Sequence, residues 1–190
     1  DSGVWEKELN LAVALQAETA LREKGAEVVM TRRTDIDLCE ASRPASLTRK
    51  RQDMENRISL VSAHQADMVL SIHMNEYRSR RSSGPQVFYR KASEGGRLLA
   101  GCMQQALIDG LAPDKERTAM AGDYFILGLE VPSVLVECGF LSNPTDEKKL
   151  LTASYQQQVG EAIAAGAAEF VTLSRRLSGT TTQTPPAPAR

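Results

Sequence analysis

The chain has few of the features that place a sequence quickly in a class. Its three cysteines, Cys39, Cys102 and Cys138, are scattered along 190 residues and form no CxxC pair. They therefore predict neither a disulfide framework nor a cysteine metal site. The 23 lysines and arginines nearly balance the 24 aspartates and glutamates, so charge gives no argument for nucleic acid or an anionic membrane as a partner. No apolar run approaches the ~20 residues that span a bilayer, and we predict no membrane-crossing segment.

What the sequence does contain is helical patterns that alternate with short apolar runs. The length suits one domain with a sizeable core. Alternation of this kind predicts an α/β fold, with a mainly parallel twisted sheet covered by helices on both faces. The patterns predict helices over 6–24, 47–65, 93–110 and 145–177, and strands over 26–31, 66–73, 85–90, 124–127 and 132–137.

The two ends of the chain differ from its middle. The tail 178–190 is rich in threonine and proline and has too little apolar surface to order itself, so we expect disorder there. The domain is accordingly assigned to residues 1–177. Neither an initiator methionine nor a signal peptide stands at Asp1. We therefore expect a fragment or a mature form, with any export signal upstream.

The segment 134–143 is the most informative in the chain. A β-branched apolar run leads into one carboxylate, Glu137, and a glycine follows two residues later. The segment 68–75 has the same form and ends its apolar run at His73. An ionisable group at the end of a buried strand costs free energy unless it is paired, liganded or used. Because ligands of open α/β sheets bind beyond the carboxyl ends of the strands, we predict a metal or acid–base site at one sheet edge.

Each polar residue near these strand ends also has a simpler interpretation. A lone histidine at a strand end is more often structural than a ligand, although neutral imidazole is a preferred zinc donor. Glu137 could serve only the dipole of the following helix, but Asp146 and Glu147 already occupy that position. Asn75 either orients a substrate or shapes the turn. A short basic run either forms a solvated loop or contacts the carboxylates of an anionic substrate; it consists of Arg78, Arg80 and Arg81.

Taken together, several segments resemble the zinc-dependent N-acetylmuramoyl-L-alanine amidases, the bacterial cell-wall hydrolases of the third amidase type. The resemblance covers about residues 3 to 172, and 132–143 is its most specific part. Residues 84–89 are more similar to the spore-cortex branch of that family than to the cell-separation branch. The other matching segments are Trp5–Leu11, Thr31-Arg32 with Asp35, and Ala66-Asp67 leading into Ser71–Asn75.

The resemblance implies a specific zinc site and reaction. In that family two histidines and one glutamate hold Zn2+, which places Glu6 and His73 among the ligands and Glu137 as the catalytic carboxylate. The local pattern alone does not select Glu6, because a glutamate in the first turn of a helix is ordinary. Zinc-activated water would cleave the amide bond between N-acetylmuramic acid and L-alanine of the stem peptide, and Glu137 would move the proton. The substrate-binding candidates are Asn75, Arg78, Arg80 and Arg81.

The sequence departs from the family at one zinc ligand. The family's first zinc histidine lies in a Gly-His-Gly-Gly type turn before the helix that Glu6 opens, and this sequence has no such motif. The strand that carries it is missing as well, and we expect truncation rather than a degenerate relative.

The resemblance also implies where the protein acts and with what. We expect peptidoglycan as the substrate, a possible activator protein, a role in cell-wall organisation or sporulation, and an extracytoplasmic location in the cell envelope or outside the cell. Two other functions stay open. One is a non-catalytic cell-wall-binding or regulatory module that has lost its metal. The other is a zinc carboxypeptidase that trims stem peptides.

Overall fold

Four strands form the sheet on which the fold is built. The computed structural model describes residues 3, 5–39 and 46–180. The described strands are β1 (Val69–Asn75), β2 (Gln86–Tyr89), β3 (Met120–Ala121) and β4 (Ser133–Phe140). Their order in the sheet is β1-β4-β2-β3; β1 and β4 are parallel, β2 and β3 are parallel, and β2 and β4 are antiparallel. The predicted α/β fold is confirmed, with a sheet that is mixed through one antiparallel pairing.

The described residues include five α-helices, and side-chain caps fix where three of them begin. Thr48, Ser93 and Asn143 each accept a hydrogen bond from a backbone N–H of the first turn, which satisfies a donor that the helix itself leaves unpaired. Pro144 occupies the first turn after Asn143, where its missing N–H does no harm. None of the described helices has the length and hydropathy needed to cross a membrane. The helices are α1 (Glu6–Glu23), α2 (Arg49–Ala63), α3 (Glu94–Leu111), α4 (Pro144–Leu150) and α5 (Ala153–Thr180).

The alternation of side chains along β4 divides the interior into two parts. Val134 and Val136 point to one face and join the main core with residues of α1, α3 and α5. Leu135 points to the other face, where a smaller cluster includes Ile126 and, from α2, the partly buried Ile58. Helices therefore cover both faces, as predicted. Since side chains alternate in a strand, Glu137 lies on the same face as Leu135.

Two predicted strands are wrong. Residues 26–31 form no strand and have no ladder partner among the described strands. Val29 is 45% exposed, and the Val28 carbonyl accepts a hydrogen bond from the Arg22 side chain instead. Residues 124–127 lead into a 3-10 helix, Phe125–Gly128, which the Leu127 N–H closes by donating to the Tyr124 carbonyl at 2.9 Å. A short apolar run does not by itself distinguish a strand from a turn that buries two side chains.

The predicted last helix is two helices. The helix is interrupted at Leu151 and Thr152, between α4 and α5. There the Thr152 hydroxyl donates a hydrogen bond to the Lys149 carbonyl and so competes with the helical hydrogen bonds. The sequence patterns did not predict β3, which consists of only two residues. The second helix, α5, continues to Thr180, three residues into the predicted tail. Residues 181–190 of that tail lie outside the described residues.

Candidate functional site

Parallel pairing of β1 with β4 brings two predicted site residues side by side. His73 and Glu137 are register partners across the pair, so their side chains share the sheet face that carries Leu135. The ladder register then shifts between His73 and Asn75, because β4 contributes one extra residue there. A bulge of this kind bends the strand and redirects side chains. The site therefore lies where regular pairing of the two strands is interrupted.

The side chain of Glu6, the first residue of α1, lies against His73. Its Oε1 lies 3.0 Å from His73 Nδ1. The same oxygen accepts a hydrogen bond from Asn10 Nδ2 at 3.0 Å and from the Met74 N–H at 3.4 Å. The hydrogen bond with His73 is the largest cause that lowers the pKa of Glu6 to about 2. Glu6 is therefore an ionised carboxylate at neutral pH, with one oxygen held against the imidazole.

Glu137 has the opposite electrostatic environment. It is 9% exposed, and burial raises its pKa to about 7, while His73 lowers the pKa and the charge of Glu6 raises it. Its Oε2 is buried and receives no hydrogen bond from the described residues. A carboxyl group whose pKa lies near neutrality can both take and release a proton under physiological conditions. The arrangement therefore suits Glu137 for general acid–base chemistry.

The donors present fit part of a zinc site. Imidazole nitrogen and carboxylate oxygen are ordinary zinc ligands, and the 3.0 Å between His73 Nδ1 and Glu6 Oε1 lets both reach one ion at bond lengths of about 2 Å. Within residues 3, 5–39 and 46–180, no group of three or more histidine, cysteine, aspartate or glutamate side chains is arranged to hold a metal. The described chain thus supplies two neighbouring donors and, beside them, a protonatable carboxylate.

The predicted substrate-binding residues follow β1. Asn75 is its last residue and is half-buried. The loop after it is tied to the end of β4, since the Tyr77 N–H donates to Ser142 Oγ at 3.1 Å and Asn143 Nδ2 donates to the Arg80 carbonyl at 2.9 Å. Three exposed guanidinium groups in this loop form no ion pair with the described carboxylates; they belong to Arg78, Arg80 and Arg81.

The structure adds one residue to the site that the sequence did not single out. Asn10 stands one helical turn after Glu6 and donates to its carboxylate, while the Asn10 Oδ1 is buried without a hydrogen-bond partner in the described chain. The i, i+4 spacing of the two residues is the signal that could have found it. The contact between Glu6 and His73 has no local signal, because 67 positions separate them.

Comparisons with known proteins show which family this chain resembles in sequence and in fold. The family described as Amidase_3, N-acetylmuramoyl-L-alanine amidase, matches residues 1–169. The germination-specific N-acetylmuramoyl-L-alanine amidase of Bacillus subtilis (strain 168) is 32% identical over 168 residues, which cover 88% of this chain and 71% of the relative.

Solved structures show the same similarity. The CwlD amidase of Clostridioides difficile, solved in complex with the GerS lipoprotein, has a TM-score of 0.85 at 29% identity, with 91% of this chain and 89% of that chain covered. The catalytic domain of CwlV, an N-acetylmuramoyl-L-alanine amidase from Bacillus (Paenibacillus) polymyxa var. colistinus, has a TM-score of 0.76 at 27% identity, with 90% and 87% covered. Each of these structures thus matches about nine-tenths of this chain.

Proposed function

The chain belongs to the N-acetylmuramoyl-L-alanine amidase family, and we propose that it hydrolyses the amide bond between N-acetylmuramic acid and the L-alanine of the stem peptide in peptidoglycan. One observation carries the proposal. Glu6 and His73 meet at 3.0 Å, and Glu137 stands beside His73 in the sheet with a pKa of about 7. The meeting of these three residues, which are distant along the chain, supports the proposal.

The reaction we propose is zinc-dependent. Glu6 and His73 would be two of the protein ligands, supported by their separation and by the ionised state of Glu6. A bound zinc ion acts as a Lewis acid that polarises a carbonyl group and makes water more acidic. Asn10 and the Met74 N–H hold the Glu6 carboxylate, and fixed ligand orientation of this kind strengthens metal binding.

Glu137 is the proposed proton carrier. It takes a proton from the water that attacks the carbonyl carbon and later gives that proton to the leaving amine nitrogen. Both transfers need a carboxyl group with a pKa near the working pH, and burial supplies this for Glu137. The unpartnered Oε2 leaves one oxygen available for the exchange.

The substrate is proposed to contact the loop after β1. Stem peptides carry carboxylates, and the exposed guanidinium groups of Arg78, Arg80 and Arg81 suit such groups through charge-assisted hydrogen bonds. Asn75 at the strand end would orient the peptide beside the reacting bond.

The similarity of this protein to named relatives supports a proposal about where and when it acts. The relatives are a germination-specific amidase and an amidase solved with a lipoprotein. We propose that this protein acts on the cell wall outside the cytoplasm, in sporulation or germination, and that a protein partner activates it.

The test is Glu137→Gln in the full-length protein with purified peptidoglycan as substrate. We expect release of intact stem peptides, detected by mass spectrometry, to stop while zinc content stays at about one per chain. The same substitution at Glu161, exposed on α5, is the matched control and should leave the activity unchanged.

The products separate the competing functions. Continued release of stem peptides by the Glu137→Gln variant rejects Glu137 as the proton carrier. Release of single amino acids by the unmodified protein indicates a carboxypeptidase. Binding to peptidoglycan without any release indicates a non-catalytic module.

A further inference from the structure

We propose that Tyr124 is a further catalytic residue, whose hydroxyl donates a hydrogen bond to the substrate oxygen that becomes negative when the amide is attacked beside Glu137. This inference rests on the proposed amidase function and extends it. It follows from where the Tyr124 ring lies, how the ring is held, and which polar groups near it have no partner.

The ring of Tyr124 lies on the same sheet face as Glu137. It packs against Phe88 with ring centroids 5.3 Å apart and an interplanar angle of 59°. Phe88 pairs with Leu135 across β2 and β4, and the next register pair on that face is Gln86 with Glu137. Since paired residues in a sheet point to the same side, Tyr124 packs on the ring of Phe88, whose partner Leu135 lies two residues before Glu137 on that face of β4.

Packing holds this ring in one place. A Cβ at Gly122 would come within 2.5 Å of Tyr124 Cε2 and 3.2 Å of Phe88 Cδ1, so the ring lies directly on the glycine backbone. The ring is thus fixed between Gly122 and Phe88 before any substrate arrives. A hydrogen-bond donor that is already positioned needs no reorganisation during the reaction.

Two polar groups at this place lack a partner in the described chain. No described residue makes a hydrogen bond with the Tyr124 hydroxyl, and Tyr124 is 37% exposed. Glu137 Oε2 is likewise unpartnered. Burial and, after it, the charge of Glu137 raise the pKa of Tyr124 above its usual value. The phenol is therefore protonated at neutral pH, and it lies within electrostatic reach of Glu137.

The chemistry assigns this donor to the carbonyl oxygen. Attack by water forms a carbon–oxygen bond and moves the carbonyl π electrons onto the substrate oxygen, while Glu137 takes the water proton. The Tyr124 O–H stays intact and donates to that oxygen. When the carbonyl re-forms, the carbon–nitrogen bond breaks and Glu137 returns the proton to the nitrogen. A donor of this kind is worth about 10²–10³ in kcat.

The experiment is Tyr124→Phe in the full-length, zinc-loaded protein, assayed with a soluble N-acetylmuramoyl tripeptide. We expect kcat to fall by about 100-fold with KM nearly unchanged, because the interaction strengthens only in the transition state. Zinc content and Tm should not change. Tyr89→Phe is the matched control: Tyr89 lies on the neighbouring position of β2 and packs against the main core on the other face, so its loss of a hydroxyl should not affect kcat.

A second variant tests the positioning. Gly122→Ala displaces the ring and should lower kcat in the same direction while the hydroxyl is still present. A Tyr124→Phe variant with unchanged kcat overturns the inference, as does one that changes only KM. Glu137→Gln in the same assay separates the two proposals: if it is inactive while Tyr124→Phe is fully active, only the role of Tyr124 is lost. If Glu137→Gln itself is active, Glu137 is rejected as the proton carrier. If the unmodified protein releases no peptide from the substrate, the proposed function fails.

Discussion

Burial of Glu137 has a consequence for stability that can be measured without substrate or metal. The pKa of its carboxyl group rises from 4.5 to about 7 because the folded protein removes the group from water. The folded state therefore binds the proton more tightly than the unfolded state does. Its contribution to stability is complete below about pH 4.5 and is lost as the pH rises through 7.

The magnitude follows from the two pKa values. One pKa unit corresponds to about 1.4 kcal/mol, so ionising Glu137 in the folded protein costs about 3 kcal/mol at alkaline pH. Glutamine has the shape of the protonated carboxyl and cannot ionise. We expect Glu137→Gln to unfold like the unmodified protein near pH 4.5 and to be about 3 kcal/mol more stable near pH 9.

The assay is urea unfolding at several pH values between 4.5 and 9, with a chelator present so that no metal contributes. Glu161→Gln, on the exposed face of α5, is the control and should follow the unmodified protein throughout. A difference between Glu137→Gln and the unmodified protein that does not grow with pH would refute the reasoning, because a carboxylate that stays solvated carries no such penalty.

Three further predictions concern packing, capping and substrate charge. Gly160→Ala should destabilise the protein by about 1–3 kcal/mol, since the added Cβ would lie 2.7 Å from Ala17 N on α1. Gly101→Ala is the control, because the space around Gly101 is open, and it should stabilise α3 by up to about 1 kcal/mol. Equal effects of the two substitutions in urea unfolding would contradict the close contact between α5 and α1. Asn143→Ala removes the Oδ1 atom that accepts hydrogen bonds from Thr145 N at 2.9 Å and Asp146 N at 3.2 Å, and it should lower the free energy of unfolding by about 1 kcal/mol. A Tm identical to that of the unmodified protein would show that the cap is unimportant. Replacing Arg78, Arg80 and Arg81 together by glutamate should raise KM for a muropeptide by about five- to tenfold, because exposed ion pairs are worth about 0.2–1 kcal/mol each; an unchanged KM removes these residues from substrate binding.

The elements that could be predicted from the sequence are those with strong local signals. The helix after Ser93 has a cap and a regular apolar face, and all eight residues of β4 are buried. The direction of β2 could not be predicted, because nothing in residues 86–89 specifies whether their neighbour runs parallel or antiparallel. The prediction of a strand over 26–31 failed because a strand needs a hydrogen-bonded neighbour, and the local sequence does not show whether one is present.

The site residues also differ in whether the local sequence could identify them. His73 and Glu137 were detectable because each follows an apolar run in the sequence, and the parallel pairing of β1 with β4 brings the two residues together. Glu6 was not detectable from its surroundings, since its position depends on how α1 is placed against β1. Only the resemblance to a family selected it. Tyr124 was hidden by the wrong assignment of 124–127 to a strand, which gave no reason to place its ring on the Glu137 face.

The two carboxylates of the site show why the same residue type can have different roles there. Glu6 is half-exposed and hydrogen-bonded to His73, and this contact lowers its pKa to about 2. Glu137 is buried beside the same histidine, but desolvation outweighs the attraction, and the negative charge of Glu6 opposes its ionisation further. The carboxylate that remains ionised is suited to hold a cation, and the one that stays close to neutrality is suited to carry a proton. If both carboxylates were equally solvated, both would be anions at neutral pH. The difference in burial therefore separates a carboxylate that can hold a cation from one that can carry a proton, as the proposed reaction requires.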